Sequence, residues 1–385
     1  MLPKPNASFT LPSVHDGTEV DCRLYFPHVV PASGDLMCRG VAIFAHPYAP
    51  LGGSYDDPVV NHVGGILSRQ GYLLVTFNFR GADQSAGKTS WSGKGELGDY
   101  VSVYLFVVAF LSSPGISDCV GVGRTDEGAS ASLVLGGYSY GSMMATHLPS
   151  LSYIQKTLAC THEPTAPEID ITSRAQELAL SFLDFHATQV EQAQGHVGGP
   201  PPSGGVIMGG SEHQSSGRRR STALNRSSID LGRIRRSVDR LRHRPAPGEA
   251  GSGSHGREVT DPPIEQTPGI RIRVSYLLVS PLLGPVAGLA SMYSRLKFKP
   301  RRSRVDVDDM TPDQALRSHP SIVIYGSKDM FSSPKKIKKW CEALQQGPGS
   351  RLKFCEVSGA GHFWHDDESA SGLEGALVEW LTSEY

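Results

Sequence analysis

The sequence predicts an α/β protein built on a doubly wound, mostly parallel sheet. Short apolar runs, among them Gly40 to Ala45, Tyr72 to Phe79 and Ser321 to Tyr325, alternate with longer stretches of helical periodicity. These runs are continuously apolar, as strands covered on both faces are. The residues best suited to chemistry follow the ends of such runs, where open α/β sheets bind ligands.

In chain order, Ala7 to Leu11 and Glu19 to Phe26 flank the turn residues His15, Asp16 and Gly17, a β-hairpin ahead of the main sheet. Gly40 to Ala45 is a buried strand that ends at His46 and Pro47, and Leu51 to Ser54 form a loop beyond it. Pro58 to Gln70 has helical character and leads through Gly71 into the strand Tyr72 to Phe79, which ends at Arg80 and Gly81. Leu97, Val101, Tyr104, Leu105 and Val108 recur at helical spacing, so Glu96 to Ser112 should cover one face of the sheet. After the turn-rich Pro114 to Ser130 come a strand, Ser132 to Gly136, and a helix that Pro149 would stop. Thr172 and Ser173 are N-cap residue types, and Arg174 to Gln194 reads as the helix behind them. Ile270 to Val279, Ser321 to Tyr325 and Leu352 to Val357 are the remaining strands, and Leu373 to Leu381 a closing helix.

Composition divides the chain into residues 1–194, an insertion at 195–269 and residues 270–385. The insertion is glycine, proline, serine and arginine with few large apolar side chains, too few to offset the entropy of ordering it, and so is expected to be disordered. Within it Leu231, Ile234, Val238 and Leu241 recur at helical spacing amid Arg233, Arg235, Arg236, Arg240 and Arg242. Such a stretch suits weak contact with an anionic membrane or an acidic partner, although a solvated charged linker is the commoner fate of so short an apolar face. The basic run Arg295 to Arg304 reads as a solvated face.

Over the 385 residues, 37 lysines and arginines nearly balance 38 aspartates and glutamates, so no global charge points to nucleic acid. Cys22, Cys38, Cys119, Cys160, Cys341 and Cys355 show no metal-ligand spacing and read as thiols in a reducing compartment. Met1 to Val20 has neither the charged start nor the apolar stretch of a signal peptide, and no apolar run is long enough for a bilayer. A cytoplasmic protein is the expectation.

The chemistry centres on residues 137–141. Ser139 lies between the apolar run Leu133 to Leu135 and the helical Ser142 to Ala145, with Gly137 and Gly141 two positions to either side. In a glycine-rich chain this pentapeptide is weak evidence alone; its strand-turn-helix setting strengthens it, because that setting is the nucleophile elbow. A serine hydroxyl needs a base within hydrogen-bond reach, and the base needs an orienting carboxylate. Asp329 follows the strand ending at Tyr325, and His362 follows the last strand behind Ser358, Gly359, Ala360 and Gly361. The chain order is therefore Ser139, Asp329, His362. His365 competes as base, but Trp364 and the acidic Asp366 to Glu368 mark it as a surface histidine. Asp306, Asp308, Asp309 and Asp313 precede their strand and rank below Asp329 as the acid. For an oxyanion, Tyr140 N–H is the first donor; Pro47 has no N–H to give, which leaves the Tyr48 N–H as the second. Asn78 and Asp83 are expected to close turns.

With these residues placed, the chain resembles the α/β-hydrolase superfamily, and within it the compact lidless branch near dienelactone hydrolases and prolyl-oligopeptidase-type serine hydrolases. Ala45 to Gly53 is similar to that family's oxyanion loop, and Phe77 to Gly81 with Asp83, Ser85 and Gly87 to its strand end and following loop. The resemblance covers Ala7 to Pro149 and Ile270 to Tyr385. It implies a serine hydrolase acting on a small-molecule ester, thioester or amide through an acyl-enzyme, with no metal or organic cofactor. Ser139 would attack, His362 move the proton and Asp329 hold the imidazolium. A peptidase or amidase of the same fold, and a catalytically idle binding or scaffold module, are the alternatives.

Overall fold

A computed structural model describes residues 2–27, 38–121, 124–125, 128–159, 164–195, 271–283, 298 and 310–383. All of them belong to a unit formed by Met1–Gly198 and Thr267–Tyr385. Beyond Gly195 the insertion expected at 195–269 lies outside the described residues, as do Cys160, Asp306, Asp308, Asp309 and, apart from Phe298, the basic run Arg295 to Arg304.

The strands are β1 (Ala7–Pro12), β2 (Glu19–Tyr25), β3 (Gly40–Ala45), β4 (Tyr72–Phe77), β5 (Arg124–Thr125), β6 (Gly128–Tyr138), β7 (Arg271–Val279), β8 (Ser321–Gly326) and β9 (Leu352–Val357). They are ordered β1-β2-β4-β3-β6-β7-β8-β9, with β5 paired only to β6. β1 and β2 form the expected hairpin, antiparallel to each other, and β2 runs antiparallel to β4. From β4 to β9 every neighbouring pair is parallel. Every residue of β3, β4 and β8 is buried, as continuous apolar runs demand.

The helices are α1 (Pro58–Arg69), α2 (Lys94–Leu111), α3 (Tyr140–Thr146), α4 (Leu151–Ala159), α5 (Ala166–Gly195), α6 (Pro312–Ser318), α7 (Pro334–Gln345) and α8 (Asp367–Ser383). Asp57 caps α1 by accepting the Val59 N–H at 2.8 Å, and Pro58 fits the first helical position.

α2 lies against the sheet as expected, with the Tyr100 hydroxyl donating to the Gly136 carbonyl, and from Gly95 to Leu111 every residue is buried. Its outer side is covered by α5, where Phe182 meets Phe110 at 5.9 Å and Phe26 edge-on at 5.2 Å. Burial of a side chain the size of Phe182 is worth roughly 1.5–3 kcal/mol. α5 in turn begins before Thr172 and Ser173, which are interior residues and not caps. Thr172 satisfies its hydroxyl on the Glu168 carbonyl at 2.8 Å, and it is Glu168 that reaches back to the Thr165 N–H, also at 2.8 Å.

Candidate active site

Because β3, β4, β6, β7, β8 and β9 are parallel, the loops after them converge on one end of the sheet, and Ser139 lies there at the end of β6. Ser139 has φ 56 and ψ −113, a conformation costly for a residue with a Cβ. The turn holds because its glycines leave no room for anything else. A Cβ on Gly137 would lie 2.4 Å from the Gly141 carbonyl carbon, and one on Gly141 would lie 2.4 Å from the Ala45 carbonyl oxygen. The Ser139 N–H donates to the Val279 carbonyl at 2.9 Å, which pins the turn to β7.

The other two residues arrive from the loops after β8 and β9. His362 Nε2 lies 2.9 Å from Ser139 Oγ, and His362 Nδ1 lies 2.7 Å from Asp329 Oδ2. With Nδ1–H donating to the carboxylate, Nε2 is left to accept the serine proton. All three residues are buried: Ser139 is 6% exposed, Asp329 6% and His362 4%. Burial acts to raise the Asp329 carboxyl, but the hydrogen bonds from His362 and from the Ser332 and Phe331 N–H groups outweigh it. The net effect holds the carboxyl below its ordinary range. Those N–H groups donate to Asp329 Oδ1 at 3.0 and 2.8 Å, leaving Oδ2 for the imidazole.

A strand order of hairpin, crossover and parallel run, with a strained serine turning from the central strand into a helix, settles the architecture. This is the α/β-hydrolase fold. Comparison of the chain with protein-family models and with curated proteins finds no match. Among solved structures it is similar to an alpha-beta serine hydrolase homologue from Coxiella burnetii, at 14% identity over 98% of this chain and 99% of that one, with a TM-score of 0.44. It is also similar to an a/b serine hydrolase without lid from Xanthomonas campestris, at 17% identity over 100% and 96% of the two chains, TM-score 0.44. A propionate-bound thermophilic esterase from Thermogutta terrifontis is similar at 12% identity over 99% and 96%, TM-score 0.47. Likenesses this distant carry nothing about chemistry; the assignment of the hydrolase fold rests on the strand order and the turn at Ser139.

The loop after β3 is fixed beside the elbow. His46 is fully buried, its Nδ1 on the Pro47 carbonyl at 2.5 Å and its Nε2 accepting the Phe79 N–H at 2.8 Å. Burial pushes its pKa down to about 4, although the Pro47 carbonyl acts the other way. The rings of Tyr48 and Tyr140 are 5.1 Å apart, so the loop and the start of α3 are neighbours. Among the described residues neither the Tyr48 nor the Tyr140 N–H finds an acceptor.

Several supporting residues carried no signal in the sequence. The Tyr138 hydroxyl donates to the His362 carbonyl at 2.9 Å, and Trp364 Nε1 donates to Ser280 Oγ at 3.1 Å, so the histidine loop is tied to the ends of both β6 and β7. Phe331 covers the His362 ring with centroids 4.5 Å apart. A Cβ on Gly326 would lie 2.2 Å from the Ala360 carbonyl oxygen, which is how closely the loops carrying Asp329 and His362 approach. His365 is exposed and stacked 5.4 Å from Phe363, as a surface histidine. Asp313 accepts from Trp340 Nε1 at 3.1 Å, away from the serine.

Asn78 ties loops together instead of closing a local turn: its Oδ1 accepts the Tyr55 N–H and its carbonyl accepts the Ser85 hydroxyl, at 2.8 and 2.7 Å. Arg80 points inward. Its guanidinium meets Asp99 at 2.7 Å and Asp16 at 2.8 Å, lying over Gly95, where a Cβ would be 2.7 Å from it.

Proposed function

We propose that the protein is a serine hydrolase that cleaves a carboxylic ester or thioester through an acyl-enzyme. The observation that carries this reading is the continuous relay from Ser139 Oγ through His362 to Asp329, at 2.9 and 2.7 Å, among three buried side chains at the strand ends. Ser139 Oγ bonds to the substrate carbonyl carbon while its proton passes to His362 Nε2. Asp329, held ionised, stabilises the imidazolium and keeps Nδ1 protonated. The carbonyl oxygen becomes an oxyanion, for which the Tyr140 and Tyr48 N–H groups are the donors. Its collapse breaks the bond to the leaving alkoxide or thiolate, which takes the proton from Nε2. Water then attacks the acyl-enzyme, gives a proton to His362 and releases the acid together with the serine hydroxyl. Every step is met by this chain's own side chains and backbone.

The test is turnover of nitrophenyl esters graded by acyl length, beside the matching thioesters and anilides. Wild-type protein is expected to cleave the esters, and Ser139→Ala to lose roughly a thousandfold in kcat/KM. A folded wild type that cleaves none of them, or a Ser139→Ala variant with undiminished activity, contradicts the reading.

A further inference from the structure

Among the described residues, the large apolar side chains left exposed are Leu51, Trp91, Ile169, Leu180, Met330 and Phe363. Ile169 and Leu180 lie on α5. The others occupy four different loops, after β3, β4, β8 and β9, and because those strands are parallel all four leave the same end of the sheet as Ser139. Trp91 is 79% exposed, Met330 79%, Leu51 76% and Phe363 46%.

These are not frayed tips, because each stands beside a residue that is pinned. Trp91 follows Ser90, whose N–H and hydroxyl both bind the buried Glu96 carboxylate at 2.5 Å. Met330 follows Asp329, whose Oδ1 accepts the next two N–H groups and turns the chain around the methionine. Leu51 closes a single helical turn, its N–H on the Tyr48 carbonyl at 3.0 Å, with Gly52 at φ 89 behind it. Phe363 stands between His362 and Trp364, both buried and hydrogen-bonded. Backbone fixed in this way holds apolar groups in water at a standing free-energy cost. Four such tips at the end of the sheet that carries Ser139 suit contact with an apolar surface.

We propose that this rim seats the mouth of the site on a lipid–water interface, so that the substrate is an ester presented from a lipid layer. A protein lying across four loops around Ser139 would block the site it covered. A lipid layer supplies the substrate from its own plane. Separate tips, one of them a tryptophan, suit shallow insertion at headgroup depth. Lys88 and Lys94 flank Trp91, and Lys328 precedes Met330, all exposed and able to reach lipid phosphates. Asp366, Asp367 and Glu368 near Phe363 keep the face from being uniformly basic, so the tips and not net charge carry the binding. The proposal rests on the hydrolase reading, because preferring a lipid layer to a protein assumes a site that must stay open.

The experiment is flotation of the full-length protein with phosphatidylcholine vesicles, whose zwitterionic surface gives the arginine-rich insertion little to bind. Wild type and Ser139→Ala should both float, and Trp91→Ser/Met330→Ser should float roughly tenfold less. The same double variant should cleave a soluble nitrophenyl acetate within about twofold of wild type, yet lose the rise in rate that wild type shows once a long-chain ester aggregates. A wild type that stays in the soluble fraction overturns the proposal, as does a double variant that floats equally well. Concentration-dependent self-association without flotation, lost in the double variant, assigns the rim to a protein contact and also overturns it. Flotation by Ser139→Ala together with an inert wild type would keep the docking and reject the hydrolase.

Discussion

His46 Nε2 accepts the Phe79 N–H at 2.8 Å, and this bond joins the loop leaving β3 to the loop leaving β4. The bond requires a neutral imidazole, and burial secures one by holding the pKa near 4, down from 6.5. Between those values the unfolded chain binds a proton that the folded chain refuses. Stability is therefore complete above about pH 6.5 and falls as pH drops towards 4, by about 2 kcal/mol between pH 7 and 5 from this residue alone. Urea unfolding at both pH values should show His46→Asn with a pH dependence flatter by about that amount. Equal slopes would mean that His46 is not the group being titrated.

The Arg80–Asp99 pair should behave as a buried one. Asp99 is 0% exposed and Arg80 7%, so Arg80→Met strands a carboxylate in the interior and should cost about 3–5 kcal/mol in denaturant unfolding. Adding Asp99→Leu removes the stranded charge and should recover most of that loss. A double variant no more stable than the single one would show that Asp16 and Ser13, which share the guanidinium, carry the effect.

Tyr138 holds His362 by its carbonyl, away from the ring that would move the proton. Tyr138→Phe should lower kcat about tenfold and leave KM nearly unchanged, because what is lost is the aim of the imidazole. Stability should shift by no more than about 1–3 kcal/mol. A raised KM with unchanged kcat would place Tyr138 in substrate binding instead.

Much of this was legible in the sequence because it is local. Gly-X-Ser-X-Gly between an apolar run and a helical stretch marks a tight turn from neighbouring residues alone, and Asp329 and His362 could be picked from their competitors because they follow strands. What escaped notice depends on residues far apart in the chain. Nothing near Arg80 announces Asp99 or Asp16, and nothing near Tyr138 announces the His362 carbonyl. The spacing of apolar residues in α2 announced a helix over the sheet, but not that α5, distant in sequence, covers its other side. Thr172 and Ser173 have the chemistry of caps, but a threonine can also bond back to the carbonyl four residues earlier, as Thr172 does with Glu168, and residue type alone does not separate the two. The exposed rim was invisible for another reason: Leu51, Trp91, Met330 and Phe363 look like ordinary core residues until their loops are seen to share one end of the sheet.

Whether Ser139 is poised for attack is read by a fluorophosphonate probe without any guess at the substrate. Peptide mapping of the labelled protein should place one phosphonyl adduct on Ser139. Labelling should be absent in Ser139→Ala and slowed by roughly a thousandfold in His362→Gln. A natively folded wild type that takes no probe, or takes it elsewhere while Ser139 stays unmodified, would show that Ser139 is not an activated nucleophile.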